Sequence, residues 1–228
     1  MLGNIISVDG FSSTGKSTLA SKLAEHYNFY YLNSGLMYRI ISYFALNNDC
    51  IIKDKIKESK LINKLNNLNF DWVIDKNGNK SLSFDGKIFG EKMYSFEISD
   101  IVSTVAKLES VRIFLFRQQK NLALQKSIVV EGRDIGTVVF PDAKVKFFLS
   151  ANLNIRTIRR NKQIEESNIS FDTKKVEDNL IKRDKIDSER KIAPLKKAED
   201  AFEIDTSKKS QFEVFNIAKN YIDSNFQF

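Results

Sequence analysis

Residues 6–23, ISVDGFSSTGKSTLASKL, set a short apolar run, a cluster of small residues and a segment of helical spacing directly in line. Ile5–Val8 reads as a buried parallel strand, because it is apolar throughout and stops at glycine. Leu19, Leu23 and Ala24 share one helical face and predict a helix from Ser17 to about His26. Between them, Gly10-Phe11-Ser12-Ser13-Thr14-Gly15-Lys16-Ser17 fits G-x-x-x-x-G-K-[ST] at every fixed position. Glycines allow the backbone to turn so that successive N–H groups converge on a phosphate, and the following helix adds its positive dipole end. Gly10, Phe11, Ser12, Ser13, Thr14, Gly15, Lys16, Ser17 and Thr18 are therefore the expected contacts to a nucleoside triphosphate, with Lys16 on the outer phosphates and Ser17 on Mg²⁺. Asp9 has two readings: orientation of Mg²⁺-bound water, or a structural hydrogen bond to the loop. The loop specifies a nucleoside triphosphate but not what is done with it.

The rest of the chain continues the same rhythm. Phe29–Leu32 is a strand candidate, followed from Ser34 by a helix with Met37, Ile40, Ile41 and Phe44 on one face. Ile128–Val130, Val145–Leu149 and Phe202–Ile204 are further apolar runs set between helical segments. Such alternation predicts an α/β domain around a five-stranded parallel sheet. Two stretches depart from it. Residues 69–90 alternate at Phe70, Trp72 and Ile74 and carry the turn signals Asn77-Gly78 and Asp85-Gly86, which predicts a small inserted antiparallel patch with Trp72 in its core. Residues 152–190 are charge-rich and glycine-free, predicting one or two exposed helices with little core, a weakly packed flap. The Phe-rich end, residues 212–228, predicts a last helix packed on the sheet.

Composition excludes little beyond this. The chain has 228 residues, 42% hydrophobic and 29% charged, with no run of about 18 apolar residues and no basic-then-apolar leader. One cysteine, Cys50, cannot form an internal disulfide, which fits a cytoplasmic location. The net charge of +7 suggests a polyanionic ligand without naming one. Only nine of the 36 basic residues are arginine, at 39, 112, 117, 133, 156, 159, 160, 183 and 190. A chain that uses lysine as its general cation is expected to keep arginine where a planar fork must grip phosphate or carboxylate.

A second motif, VVEGRDIGTVVFPDA at 129–143, runs an apolar strand into Glu131-Gly132-Arg133-Asp134. This puts charged groups at the carboxyl end of the sheet, where α/β folds bind ligands. Together with NSGLMYR (33–39), IVSTVAKLESVR (101–112) and KRDKIDSERKIAPL (182–195), in this order after the phosphate loop, it resembles the bacterial cytidylate kinases, a group of nucleoside monophosphate kinases. The resemblance runs from about Ile5 to Ile204. It implies a three-layer P-loop kinase core (about 1–60, 99–151 and 191–228), a β-rich monophosphate-binding insertion at 61–98 and a helical lid at 152–190. It also implies transfer of the γ-phosphoryl of ATP, with Mg²⁺, to CMP or dCMP. Position by position, Ser12 matches a residue beside the acceptor, and Ser34 and Arg39 match contacts to its phosphate. Ser103, Arg112 and Asp134 match the cytosine-reading group, and Arg133 matches a phosphate contact. Arg183 and Asp187 match ribose and phosphate contacts, and Arg190 a lid arginine. Lys16, Arg133, Arg183 and Arg190 form the implied catalytic set, Ser17 and Asp9 the metal set. Asn33, Leu36 and Phe11 depart from the usual Asp, a smaller residue and Pro.

The chemistry suits these residue types. Phosphoryl transfer needs in-line placement and charge stabilisation, and an anionic acceptor needs no strong base, so the single histidine, His26, has no assigned role. A carboxylate at Asp134 would accept from the exocyclic amine of cytosine and repel the uracil carbonyl. Three other readings remain at this point: a P-loop kinase with another acceptor, a nucleoside triphosphatase, and a basic nucleic-acid-binding module. The guanine-reading [NT]-K-x-D run and any arginine-rich aromatic stripe are both missing, so nucleic acid and membrane are not expected partners, and a monomer is the default.

Overall fold

The computed structural model describes residues 3–52, 55–165 and 173–227. Five strands form one sheet in the order β10-β9-β1-β8-β2, the number the apolar runs predict. They are β1 (Ile5–Gly10), β2 (Tyr30–Asn33), β8 (Ile128–Glu131), β9 (Val145–Ser150) and β10 (Phe202–Asp205). β9 runs parallel to β1 and to β10, setting Val8 beside Phe147 and Ile204 beside Leu149. By its internal contacts the chain divides into two compact units, residues 1–3 with 30–128, and 4–29 with 129–228.

The second unit holds the phosphate loop. β1 is buried along its whole length, and α1 (Lys16–His26) turns Leu19, Ala20, Leu23 and Ala24 inward at helical spacing. α8 (Gln211–Asn225) packs on α1 and starts with a capping box, in which Ser210 and Glu213 each bond the other's backbone. Its Tyr221 stacks on Phe202 at 4.3 Å and meets Phe147 edge-on, so the last helix packs on the sheet as expected, through buried Val214, Ala218 and Ile222, while Phe212 is exposed. The segment expected to be a flap is two helices, α6 (Leu153–Glu165) and α7 (Thr173–Glu189); residues 166–172 lie outside the described ones. These helices are better anchored than their composition implies, since Arg156, Thr157 and Leu180 are buried. Arg156 donates to Asp184 across the pair and lies with its guanidinium 5.4 Å from the centre of the Phe11 ring.

The other unit carries α2 (Ser34–Asn47), capped by Asn33, whose side-chain oxygen accepts from Leu36 N–H at 2.9 Å. Met37, Ile40 and Ile41 are buried on its inner face. A two-residue pair, β3 (Ile51–Ile52) and β4 (Lys55–Ile56), and α3 (Glu58–Leu65) precede the expected antiparallel patch. That patch has three strands, β5 (Phe70–Ile74), β6 (Lys80–Phe84) and β7 (Lys87–Ile88). Its core is narrower than the alternation suggests: Phe70 is buried against Phe84, Trp72 is half-buried, and Ile74, beside the turn, is 60% exposed. The patch is held by α5 (Glu109–Gln125) rather than by its own interior. Gln118 accepts the Phe70 N–H, and the Trp72 indole donates to Leu122 O. α4 (Phe96–Val105) packs on α2 and completes this unit.

Candidate active site

The phosphate loop takes the shape its glycines permit. Gly10 sits at φ +144° against β9, where a Cβ would lie 2.1 Å from Leu149 O, so no larger residue fits. Gly15, in the left-handed region, is the N-cap of α1. Thr14 Oγ1 and Lys16 Nζ both donate to Phe11 O, which folds the loop back on itself. Lys16 is buried, and burial, with Arg133 and Arg183 adding like charge, holds its ammonium well below the ordinary lysine range; Glu131 opposes this. A triphosphate supplies the missing negative charge. Binding of ATP should therefore draw a proton onto the protein in alkaline solution, measured as a heat that changes with the ionisation enthalpy of the buffer. Equal heats in two such buffers would count against it.

The second motif lies beside the loop because β8 neighbours β1 in the sheet. Gly132 N–H donates to Val8 O, and the Ser17 hydroxyl donates to the buried Glu131 carboxylate at 2.9 Å. Glu131 was quoted in the motif but given no role; its place at the end of the strand adjoining the loop is the signal that could have found it. Asp9 is buried, and its oxygens accept the Ile135 and Gly136 N–H groups at 3.0 and 2.7 Å. Burial pushes its carboxyl up to about 6, against the pull of those two donors.

Arginines gather next to this corner. Arg133 Nε bonds Asp187 Oδ2 at 3.0 Å, with Arg183 Nε 4.0 Å from the same oxygen. Arg190 Nη2 bonds Asp134 Oδ1 at 2.8 Å, and its Nη1 is 3.7 Å from Asp187 Oδ1. Thus Arg133, Asp134, Arg183, Asp187 and Arg190, spread over 58 positions of sequence, form one connected cluster within the unit that holds Lys16 and Ser17. On the far side of the loop, Ser13, Gly15, Thr18, Arg159, Thr206 and Gln211 line a pocket. Arg159 is fixed there by bonds to Thr206 Oγ1 and Thr206 O at 2.9 and 2.7 Å, while the Thr206 hydroxyl lies 3.0 Å from Thr14 O. Of the three arginines of α6, Arg156 is buried, Arg159 enters this pocket and Arg160 donates to Gln163 Oε1 at 3.3 Å.

Ser34, Arg39, Ser103 and Arg112 belong to the other unit. Ser34 starts α2 and is buried. Arg39 is buried on the same helix, donates to Met93 O and Ser99 Oγ, and lies 4.8 Å under the Tyr94 ring. Ser103 lies near the end of α4, half-buried. Arg112 is buried on α5 and faces the Tyr38 ring at 5.8 Å. Ser12 sits in the phosphate loop. His26 ends α1, exposed beside Tyr27 and Phe215, away from this chemistry. Among the described residues no helix is long and apolar enough to cross a membrane.

A phosphate loop joined to an acid-and-arginine cluster fits several phosphotransferases, and comparison with known proteins decides among them. The cytidylate kinase family model matches residues 6–224. The chain belongs to the cytidylate kinase family. A cytidylate kinase of Flavobacterium psychrophilum is 40% identical over 222 residues, covering 96% of this chain and 97% of that one. One of Thermotoga maritima is 40% identical over 215 residues, 94% of each. In fold the chain is similar to an uncharacterized protein from Eubacterium ventriosum, with a TM-score of 0.50 at 16% identity, covering 97% of this chain and 99% of that one. As a cytidylate kinase, the chain is a nucleoside monophosphate kinase that moves the γ-phosphoryl group of ATP to CMP or dCMP.

Proposed function

We propose that this cytidylate kinase works through the arginine and carboxylate cluster just described, with Lys16, Arg133, Arg183 and Arg190 carrying the transferring phosphoryl charge. The observation that supports this most directly is the buried Asp134 carboxylate, held by Arg190 at the carboxyl end of β8. Asp134 accepts from the cytosine amine, helped by Ser103 and Arg112. Ser12, Ser34, Arg39, Arg133, Arg183 and Asp187 hold the acceptor's phosphate and ribose. Gly10 to Thr18 hold the triphosphate of ATP, and the pocket lined by Arg159 and Thr206 takes its base.

The Ser17 hydroxyl and Glu131 carboxylate, 2.9 Å apart, make a hard oxygen pair that suits Mg²⁺. Mg²⁺, held by Ser17 with Glu131 behind it, would neutralise charge on the phosphates, whereas Asp9, the other expected metal residue, turns both oxygens to the Ile135 and Gly136 N–H groups. The chain's own groups do the rest. The loop N–H groups and Lys16 orient the donor, and the arginines offer bidentate donors to the equatorial oxygens. α6 and α7 act as the lid that keeps water from the donor until the acceptor is bound. The enzyme acts as a monomer in the cytoplasm, in keeping with its single, buried Cys50.

A phosphotransfer panel tests the reading. With ATP as donor, CMP and dCMP should each exceed UMP in kcat/KM by roughly thirtyfold, the worth of one charge-assisted hydrogen bond. Steady hydrolysis of ATP in the absence of any acceptor, or equal turnover of UMP, overturns it.

A further inference from the structure

Asp9 ends β1 at the mouth of the phosphate loop, yet its carboxylate points at a different segment. Each oxygen accepts one backbone N–H, from Ile135 and from Gly136. These two N–H groups open a π turn, residues Ile135–Val139, and the first N–H groups of a helical turn have no partner within it. A buried carboxylate taking both is a strong cap, because both bonds are charge-assisted. The turn also lies hard against β1: a Cβ on Gly136 would come 3.0 Å from Ser7 Oγ and 3.4 Å from Asp9 Oδ2. At the other end of the same segment Gly132 N–H bonds Val8 O. Residues 132–136 are thus held at both ends by two adjacent positions of one strand, and between those points lie Arg133 and Asp134.

We propose that Asp9 is a positioning residue for cytosine selection, setting the backbone from which the Asp134 carboxylate and the Arg133 guanidinium project. The inference rests on the reading of Asp134 as the cytosine-contacting carboxylate. Asp9 itself touches neither nucleotide. Without its two acceptors the turn shifts away from β1, Asp134 moves with it, and the energy difference between a cytosine amine and a uracil carbonyl shrinks. The donor half of the site, built on the loop and on Ser17 with Glu131, is left in place.

The test compares Asp9→Asn, Gly136→Ala and Asp134→Asn, each checked for folding by its thermal transition. Asn keeps one acceptor oxygen but turns an NH₂ toward the second N–H. Asp9→Asn should reduce the CMP-over-UMP ratio of kcat/KM by about tenfold or more. It should raise KM for CMP and leave KM for ATP and the half-saturating Mg²⁺ concentration within about twofold of the parent. Gly136→Ala keeps the carboxylate but sets a methyl 3.0 Å from Ser7 Oγ and 3.2 Å from Lys146 Cδ, crowding the turn against β1 and β9, and should lower the same ratio, so the proposal stands or falls on this variant should Asp9→Asn not fold. If Asp134→Asn loses the preference while both Asp9→Asn and Gly136→Ala retain it, the positioning role is wrong and the base-reading role survives. If Asp134→Asn also retains it, the base reading itself fails. A several-fold rise in half-saturating Mg²⁺ for Asp9→Asn assigns Asp9 to the metal and overturns the proposal.

Discussion

Lys16→Met should lose about 10²- to 10³-fold in kcat while its thermal transition, measured without nucleotide, stays level or rises. Activity falls because the ammonium is the one cation rising from the loop itself, in the unit that also holds Glu131 and the arginine cluster. Removing a charged donor aimed at the transferring group typically costs two to three powers of ten, and the arginines cannot take its place from their own anchors at Asp187 and Asp134. Stability moves the other way. In the empty protein the ammonium is buried, pressed by Arg133 and Arg183, and bonded to one carbonyl, Phe11 O. A buried charge in that position is strained toward its neutral form, and methionine fills the same stem without it. Activity and melting temperature should therefore separate, as expected where a site stores electrostatic strain for its ligand. A kcat within tenfold of the parent would show that the lysine has no place in the transition state. A large drop in melting temperature would show that Lys16 supports the loop itself.

How much of this could be read from the chain depends on how far apart the partners are. β1, the phosphate loop and α1 are contiguous, and their pattern is legible because a strand, a glycine turn and a helix each leave a local signature. So are β8 and β9, whose apolar runs are buried on both faces, and β10, in which Ile204 is buried between two exposed acids. The antiparallel patch at 70–88 shows its turns but not its support, since Phe70 and Trp72 find their bonds on α5, about 50 residues away. α6 and α7 read as nearly coreless because their anchors are polar: Arg156 is buried through Asp184 and the Phe11 ring, 145 positions from Arg156 in sequence. The arginine expectation is met in part: Arg133, Arg156 and Arg190 bond carboxylates, while Arg39 and Arg159 bond carbonyl and hydroxyl oxygens. Arg117 is exposed on α5. Glu131 and Thr206 were missed for one reason. Their roles come from which strand lies beside β1 or β9, and the order of strands in a sheet leaves no mark on any one of them.

Arg190→Ala should lower kcat by about 10³-fold, with a much smaller change in KM for ATP. All three of its nitrogens are engaged: Nη2 with Asp134 at 2.8 Å, Nη1 3.7 Å from Asp187, and Nε with Ala193 O. When cytosine presents its amine to Asp134, the carboxylate gains a second donor, and the arginine can release it for the phosphates without leaving a buried charge alone. Acceptor binding would then be what frees the catalytic arginine, coupling base identity to rate as well as to affinity. UMP, which offers a carbonyl at that position, would leave Arg190 on Asp134. The parent enzyme should therefore discriminate against UMP in kcat and not only in KM, and Arg190→Ala should erase the kcat part of that discrimination while keeping the KM part. Arg190→Lys separates charge from geometry: an ammonium is a point donor that cannot span Asp134 and Asp187 together, so it should recover part of the rate with CMP but not the kcat gap between CMP and UMP. An Arg190→Ala enzyme altered only in KM, or one that still turns over CMP much faster than UMP at saturation, would place the arginine outside the reacting centre.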